Sequence, residues 1–403
     1  MALIAFLVAL VGVTAFAVAA RRSAARAVSV EAAPMLVQAQ DLYESLAAVD
    51  STATLAFLTG AETPQLHQEY LTRLNAAGAQ LASILGQPGA NAAIHESVGK
   101  IVQQFPLYVG MVDSARADNR LGLPIGASYL REASDLMRGT ILPEATNVYN
   151  EAAHRLDSAG RAGTSTVPIT VVIIVGAAVL LALLVVQVVV ARRSHRLVNV
   201  GLLTASVLVG GVLIATTVLF LTEQRDLTRG QRQGADLMQV LSASRILLLR
   251  AHTDATFALI ERGTGQTYLH DFDVATRRLE DGGSGLLPEA HAAAERVGRG
   301  ADVVALQNLY ANYLHVAAAI RESDANGEYQ AAVDALLGEA NGMARDIDQN
   351  LEHQIDNART RFLDSAADAR WGFGVWTILS VLILVVAGAY TVTGLQRRIE
   401  EYR

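Results

Sequence analysis

Cysteine is absent from this chain of 403 residues, which excludes disulfide bridges, thiolate metal sites and cysteine nucleophiles and leaves the redox compartment open. Charge is scarce as well, at 18% of residues where an ordinary globular chain carries about 25%. Aromatic residues make up 5%, and Lys100 is the sole lysine among 32 basic residues, a bias associated with GC-rich genomes. The motifs of catalysis are missing too. Nine histidines occur without His-Glu-x-x-His spacing, and there is neither a Walker-type glycine loop nor a Gly-x-Ser-x-Gly elbow. The stretch Gly282-Gly283-Ser284-Gly285 reads as a loop, since no strand precedes it. The expectation is a protein that is not an enzyme, with no cofactor, no metal and no nucleic-acid partner.

Apolar residues are what the chain has in excess, at 52%, with a mean hydropathy of +0.30. They gather in four uninterrupted runs, 2–20, 167–191, 198–221 and 371–394, each near the roughly twenty residues that a helix needs to cross a hydrocarbon core of about 30 Å. The sequence therefore predicts transmembrane helices at 1–20, 167–191, 198–221 and 371–394, separated by long polar regions at 21–166 and 222–370, a short link at 192–197 and a tail at 395–403. Trp371 and Trp376 open the last run as interfacial anchors would. The first run has no basic n-region and is followed by Arg21-Arg22, which favours a span over a cleaved signal peptide.

The long regions carry net charges of −3 and −8, whereas the link and tail together hold six arginines against Glu400 and Glu401. Short basic segments stay inside, so the link and tail are expected in the cytoplasm and both long regions outside. Arg21, Arg22 and Arg26 argue the other way and are outvoted. This makes a multi-pass membrane protein with both termini cytoplasmic. Arg192, Arg193 and Arg196 in the link, with Arg397 and Arg398 in the tail, are the candidates for output to a partner or for contact with lipid headgroups. No run carries an interior charge, which speaks against an ion pathway. Gln187 and Ser206-x-x-x-Gly210 are candidate helix contacts.

The order of span, polar region and span occurs twice, and residues repeat with it. Asp50 and Asp254 lie 204 apart, Tyr108 and Tyr310 202 apart, and Tyr129 and Tyr329 200 apart, while Gly60 and Gly263 follow the two aspartates. Each outer region is helical in pattern, with breaks near Gly60–Pro64, Gly86–Gly89 and Gly122–Gly126 in the first, and near Gly263–Gly265, Gly282–Pro288 and Asp324–Gly327 in the second. The predicted fold is thus an all-α membrane protein, with four transmembrane helices and two extracytoplasmic four-helix bundles from a tandem duplication.

Leu36, Ala39, Tyr43, Leu46, Ala53 and Phe57 form a helical seam, and Asp50 interrupts it. A buried carboxylate costs several kcal/mol unless paired. Asp50 therefore either sits at a rim or meets an inter-helix arginine, or it orders the stretch with Thr52 and Thr54 for contact with a ligand or partner. Glu44 is expected to be exposed by comparison. In the second copy Arg250 and Asp254 stand four apart, the spacing of a helical ion pair. Asp50, Thr52, Thr54, Arg250 and Asp254 are the candidate sensing or partner-binding residues.

The stretch Leu42-Tyr43-Glu44-Ser45-Leu46-Ala47-Ala48-Val49-Asp50-Ser51-Thr52-Ala53-Thr54-Leu55-Ala56-Phe57-Leu58-Thr59-Gly60, followed by Tyr70 and Leu74, resembles the actinobacterial GlnX family of four-span membrane proteins. So do Arg250-Ala251-His252-Thr253-Asp254 ahead of Leu259-Ile260-Glu261-Arg262-Gly263, and the ending Gly394-Leu395-Gln396-Arg397-Arg398-Ile399-Glu400-Glu401-Tyr402. The resemblance implies a signal relay between an extracytoplasmic solute-binding lipoprotein of the GlnH type, which senses aspartate or glutamate, and the cytosolic Ser/Thr kinase PknG. A direct small-molecule receptor with chemoreceptor-like sensor bundles is the alternative.

Overall fold

The computed structural model describes residues 2–60, 63–87, 89–164, 167–194, 200–261 and 265–400. No strand occurs among them. The helices are α1 (Ala2–Arg26), α2 (Ala33–Leu58), α3 (Pro64–Leu85), α4 (Ala92–Arg120), α5 (Ile125–Leu136), α6 (Leu142–Thr164), α7 (Val167–Ser194) and α8 (Val200–Ile260), then α9 (Gln266–Glu280), α10 (Leu286–Arg296), α11 (Gly300–Ala325), α12 (Tyr329–Ala335) and α13 (Asn341–Glu400). Three π-helical turns are inserted: π1 (Ala27–Ala32) between α1 and α2, π2 (Met137–Ile141) between α5 and α6, and π3 (Leu336–Ala340) between α12 and α13.

The helix ends have local causes. Thr63 caps α3 by accepting the Leu66 amide at 3.3 Å, with Pro64 at the first helical position, where its missing N–H costs nothing. Asn91 caps α4 through the Ile94 amide at 3.0 Å. Gly122 and Gly327 follow the two long helices α4 and α11 with φ of +68° and +84°, the left-handed region that glycine occupies without strain. The order long helix, glycine turn, short helix, π turn, long helix therefore runs twice along the chain. The second half departs from expectation in one respect. Val297, Gly298 and Arg299 interrupt it between α10 and α11, while Pro288 is taken into the first turn of α10. Gly282–Gly285 is turn, and Gly263 lies outside the described residues.

The chain divides into two compact units. Unit 1 comprises 1–30, 156–231 and 364–403. Its apolar core cluster holds Leu10, Val179, Leu183, Ala205, Val209, Val212, Leu384 and Ala387, drawn from α1, α7, α8 and α13, and Thr14, Arg21, Thr216, Ser380 and Thr391 are buried in the same unit. The outward faces are apolar too, with Phe16 74%, Leu181 64%, Ile214 68% and Leu382 60% exposed. Two described helical stretches are long and apolar enough to cross a membrane, Val8–Leu58 and Ile169–Val189, and Leu203–Val218 and Leu379–Thr391 are shorter apolar helices. Among the described glycines of unit 1, Gly176 is the tightest, since a Cβ there would lie 2.3 Å from the Leu213 side chain, while Gly210 has open space around it.

Unit 2 comprises 31–155 and 232–363, so the two outer regions share one compact body instead of forming two separate bundles. From Leu46 to Phe57 α2 is buried at every residue but Ala47, so this stretch is surrounded on all sides and not packed along one seam. The segment 251–259 of α8 is enclosed in the same way, with Ala255 alone partly open. Both stretches are rich in alanine and threonine, whose small side chains let neighbouring backbones approach closely.

Candidate functional site

Enclosure of these two helical stretches takes most water from their carboxylates, and each needs a partner within the protein. Asp50 on α2 is 4% exposed. Tyr108 on α4 donates to its Oδ1 at 3.3 Å, and Ser134 on α5 donates to its Oδ2 at 2.9 Å. Arg138 on π2 completes the shell, its Nε 3.8 Å from Oδ2. Asp254 on α8, at zero exposure, takes the same arginine more tightly, with Nη1 2.6 Å from its Oδ1. One guanidinium thus joins the two aspartates that occupy matching places in the repeated sequence. A π turn carries an extra residue within its hydrogen-bonded ring and alters which face each side chain leaves from. Arg138 stands on such a turn, with its guanidinium carbon 5.9 Å from the centre of the Phe257 ring.

The second half has no counterpart to Arg138, because Leu337 holds the corresponding place in π3. Both carboxylates therefore depend on Arg138, and Asp254 has Arg250 as a second, more distant cation. Burial raises the Asp254 carboxyl to about 6, against the pull of Arg138. Burial likewise raises Asp50, opposed by Arg138, Ser134 and Tyr108. Asp254 Oδ2 and Arg138 Nη2 are buried without hydrogen-bond partners.

Arg250 stands four residues from Asp254, but its Nε lies 3.9 Å from Oδ2, and it is equally far from Asp271 on α9. It is half-exposed and held only loosely. Thr52 and Thr54 are buried, and their hydroxyls donate to the carbonyls of Ala48 and Asp50 one turn back, so these side chains serve the packing of α2. A cavity of about 370 Å³ adjoins the cluster, lined by Tyr43, Asp50, Arg138, Thr146, Asn147 and Arg250 among others.

A second buried charge cluster lies in unit 2. Glu44 is 6% exposed, contrary to the exposed acid expected from the sequence, because Arg245 of α8 reaches its Oε2 at 2.8 Å. The same guanidinium meets Asp348 of α13 at 2.6 Å and Glu352 at 2.9 Å. Gln40 donates to Ser242 beside it. Burial raises the Glu44 carboxyl, against Arg245 and Ser242. A polar cavity of about 580 Å³ opens here, between α2, α3, α8 and α13. Arg245 had a sequence signal of the same kind as Asp50, as the only charge between Leu237 and Leu249. Arg138 had none beyond the need of Asp50 for an arginine, which several could have met.

Of the arginines expected to face the cytoplasm, Arg192 is exposed near the end of α7. Arg196 and the side chains of Arg193, Arg397 and Arg398 lie outside the described residues.

Residues 24–161, roughly a third of the chain, match the family model of the actinobacterial sensor domain. The match holds Asp50, Tyr108, Ser134 and Arg138, and stops short of Arg245 and Asp254. No curated protein and no solved structure matches the chain. The sensor-domain match and the helical architecture support a sensing or signalling role for an actinobacterial protein.

Proposed function

We propose that the chain is a non-enzymatic transmembrane signal relay. Unit 1 is its membrane part, with spans supplied by α1, α7, α8 and α13, because apolar side chains fill its core and also cover its outward faces, as lipid contact requires. Unit 2 is its extracytoplasmic part. It receives an aspartate or glutamate signal from a solute-binding lipoprotein and passes it to a cytosolic Ser/Thr kinase, as the resemblance to the GlnX family implies. The carrying observation is the Asp50–Arg138–Asp254 bridge. It ties α2 to α8, and α8 runs unbroken from Val200 to Ile260. A rearrangement at the bridge would bias α2 against α8, and a coupling of roughly 1–3 kcal/mol suffices to change a partner's affinity 5- to 150-fold.

Direct reception of a small molecule is favoured by one observation, the cavity beside Arg138 and Arg250. The readings separate by titration of the full chain in lipid nanodiscs. A relay binds the aspartate-loaded lipoprotein more tightly than the empty one and gives no heat with aspartate alone. Saturable binding of free aspartate favours the receptor. If neither the loaded lipoprotein nor the free amino acid binds, both readings fail.

A further inference from the structure

The second half of unit 2 contains a cavity of about 260 Å³ bounded by α8, α9, α11 and π3. Protein interiors hold few voids larger than a water molecule, so an opening of this size needs a structural cause. Alanines supply it: Ala255 and Ala258 on α8, Ala317 on α11 and Ala340 on π3 line the wall. The first half is built differently at the matching place. Its π turn ends in Ile141, fully buried, where π3 ends in Ala340.

The floor is apolar and the mouth is charged. Leu269, Phe272, Ile320 and Leu336 line the interior, while Gln266, Arg321 and Asp324 stand where α9 begins and α11 ends. Arg321 gives one N–H to Asp273 at 2.7 Å and lies 4.6 Å from the centre of the Phe272 ring. A guanidinium carries five donors, so this contact leaves capacity for a ligand carboxylate. Asp324 is an acceptor for an ammonium. An apolar pocket with a few convergent polar groups is the general form of a small-molecule site. We propose that this cavity binds a free amino acid with an apolar side chain, the side chain on the alanine-walled floor, the carboxylate at Arg321 and the ammonium at Asp324.

This site is separate from the aspartate bridge, and its failure would leave the relay reading untouched. The test is calorimetric titration of the full chain in nanodiscs with L-leucine and L-phenylalanine, and with L-aspartate, whose charged side chain the floor rejects. At least one of the first two should bind at a single saturable site. Ala340→Ile, which installs the first half's residue, should weaken that binding about tenfold or more while the protein melts no lower than the parent. Asp324→Asn, at the half-exposed mouth, should weaken it with unchanged melting, and it decides the question if Ala340→Ile folds poorly. Absence of binding by both apolar amino acids overturns the proposal. So does parental affinity in a folded Ala340→Ile variant or in Asp324→Asn.

Discussion

Arg138 is the cation that Asp50 and Asp254 have in common, and this sharing sets what each substitution should do. Removing the arginine leaves buried Asp50 without a cation and Asp254 with only the more distant Arg250, so Arg138→Gln should cost about 3–5 kcal/mol, read as a lower midpoint in denaturant. Asp50→Asn keeps its shape and its neighbours Ser134 and Tyr108, and it leaves Asp254 and Arg138 as a one-to-one pair. Its cost should be at most about 2 kcal/mol, and an equal loss in the two variants would remove Arg138 as the shared centre. Signalling should nevertheless suffer in Asp50→Asn, since the tie between α2 and α8 loses one arm.

Asp254 adds a pH signature. Its folded carboxyl titrates near 6, above the roughly 3.9 of an unfolded aspartate. Between these values the folded state holds a proton that the unfolded state has released, so stability falls as pH rises from about 4 to about 6 and levels off above. Asp254→Asn should remove this component. Melting of parent and variant across that window checks it, and parallel curves would show that Asp254 does not titrate there.

Among the elements, the pairing of α4 with α5 depends on Gly126. A Cβ there would stand 2.8 Å from the Ala115 carbonyl oxygen and 3.1 Å from the Asn119 amide nitrogen, and backbone cannot swing aside. Gly126→Ala should therefore cost about 1–3 kcal/mol. At Gly176 the nearest atoms all belong to the Leu213 side chain, which can turn aside, so Gly176→Ala should cost less. Comparable melting of the two variants would mean that α4 and α5 separate freely. The breaks near Gly60–Pro64, Gly86–Gly89 and Gly122–Gly126 were readable in advance, because glycine and proline act through local backbone chemistry. The interruption at Val297–Arg299 was harder to read, with Gly298 as its single weak sign. The enclosure of α2 was hidden, since a periodic seam describes one face and does not reveal what covers the others.

For the whole molecule, the lack of native cysteine makes single-cysteine labelling clean. Ser284 is exposed in the turn between α9 and α10, and Ser194 ends α7. With unit 2 outside, Ser284→Cys should react with a membrane-impermeant thiol reagent in intact cells, and Ser194→Cys only after permeabilisation. Labelling of Ser194→Cys in intact cells would refute the orientation.

Composition and patterning alone determined the helical class, the four apolar runs, the repeated order and the choice of Asp50 and Asp254 as candidates, because hydrophobic periodicity and misplaced charges are properties of a local stretch. Tertiary structure decided which groups meet. Asp50 and Asp254 converge on Arg138 from 88 and 116 residues away, Glu44 is drawn inside by Arg245, and Arg250 stays loose beside an aspartate at ideal helical spacing. Ion-pair partners are chosen by burial, since a charge shut away from water must take whichever opposite charge the packing brings within reach. That choice depends on how α2 and α8 are enclosed by the rest of unit 2, which no single stretch of the chain contains.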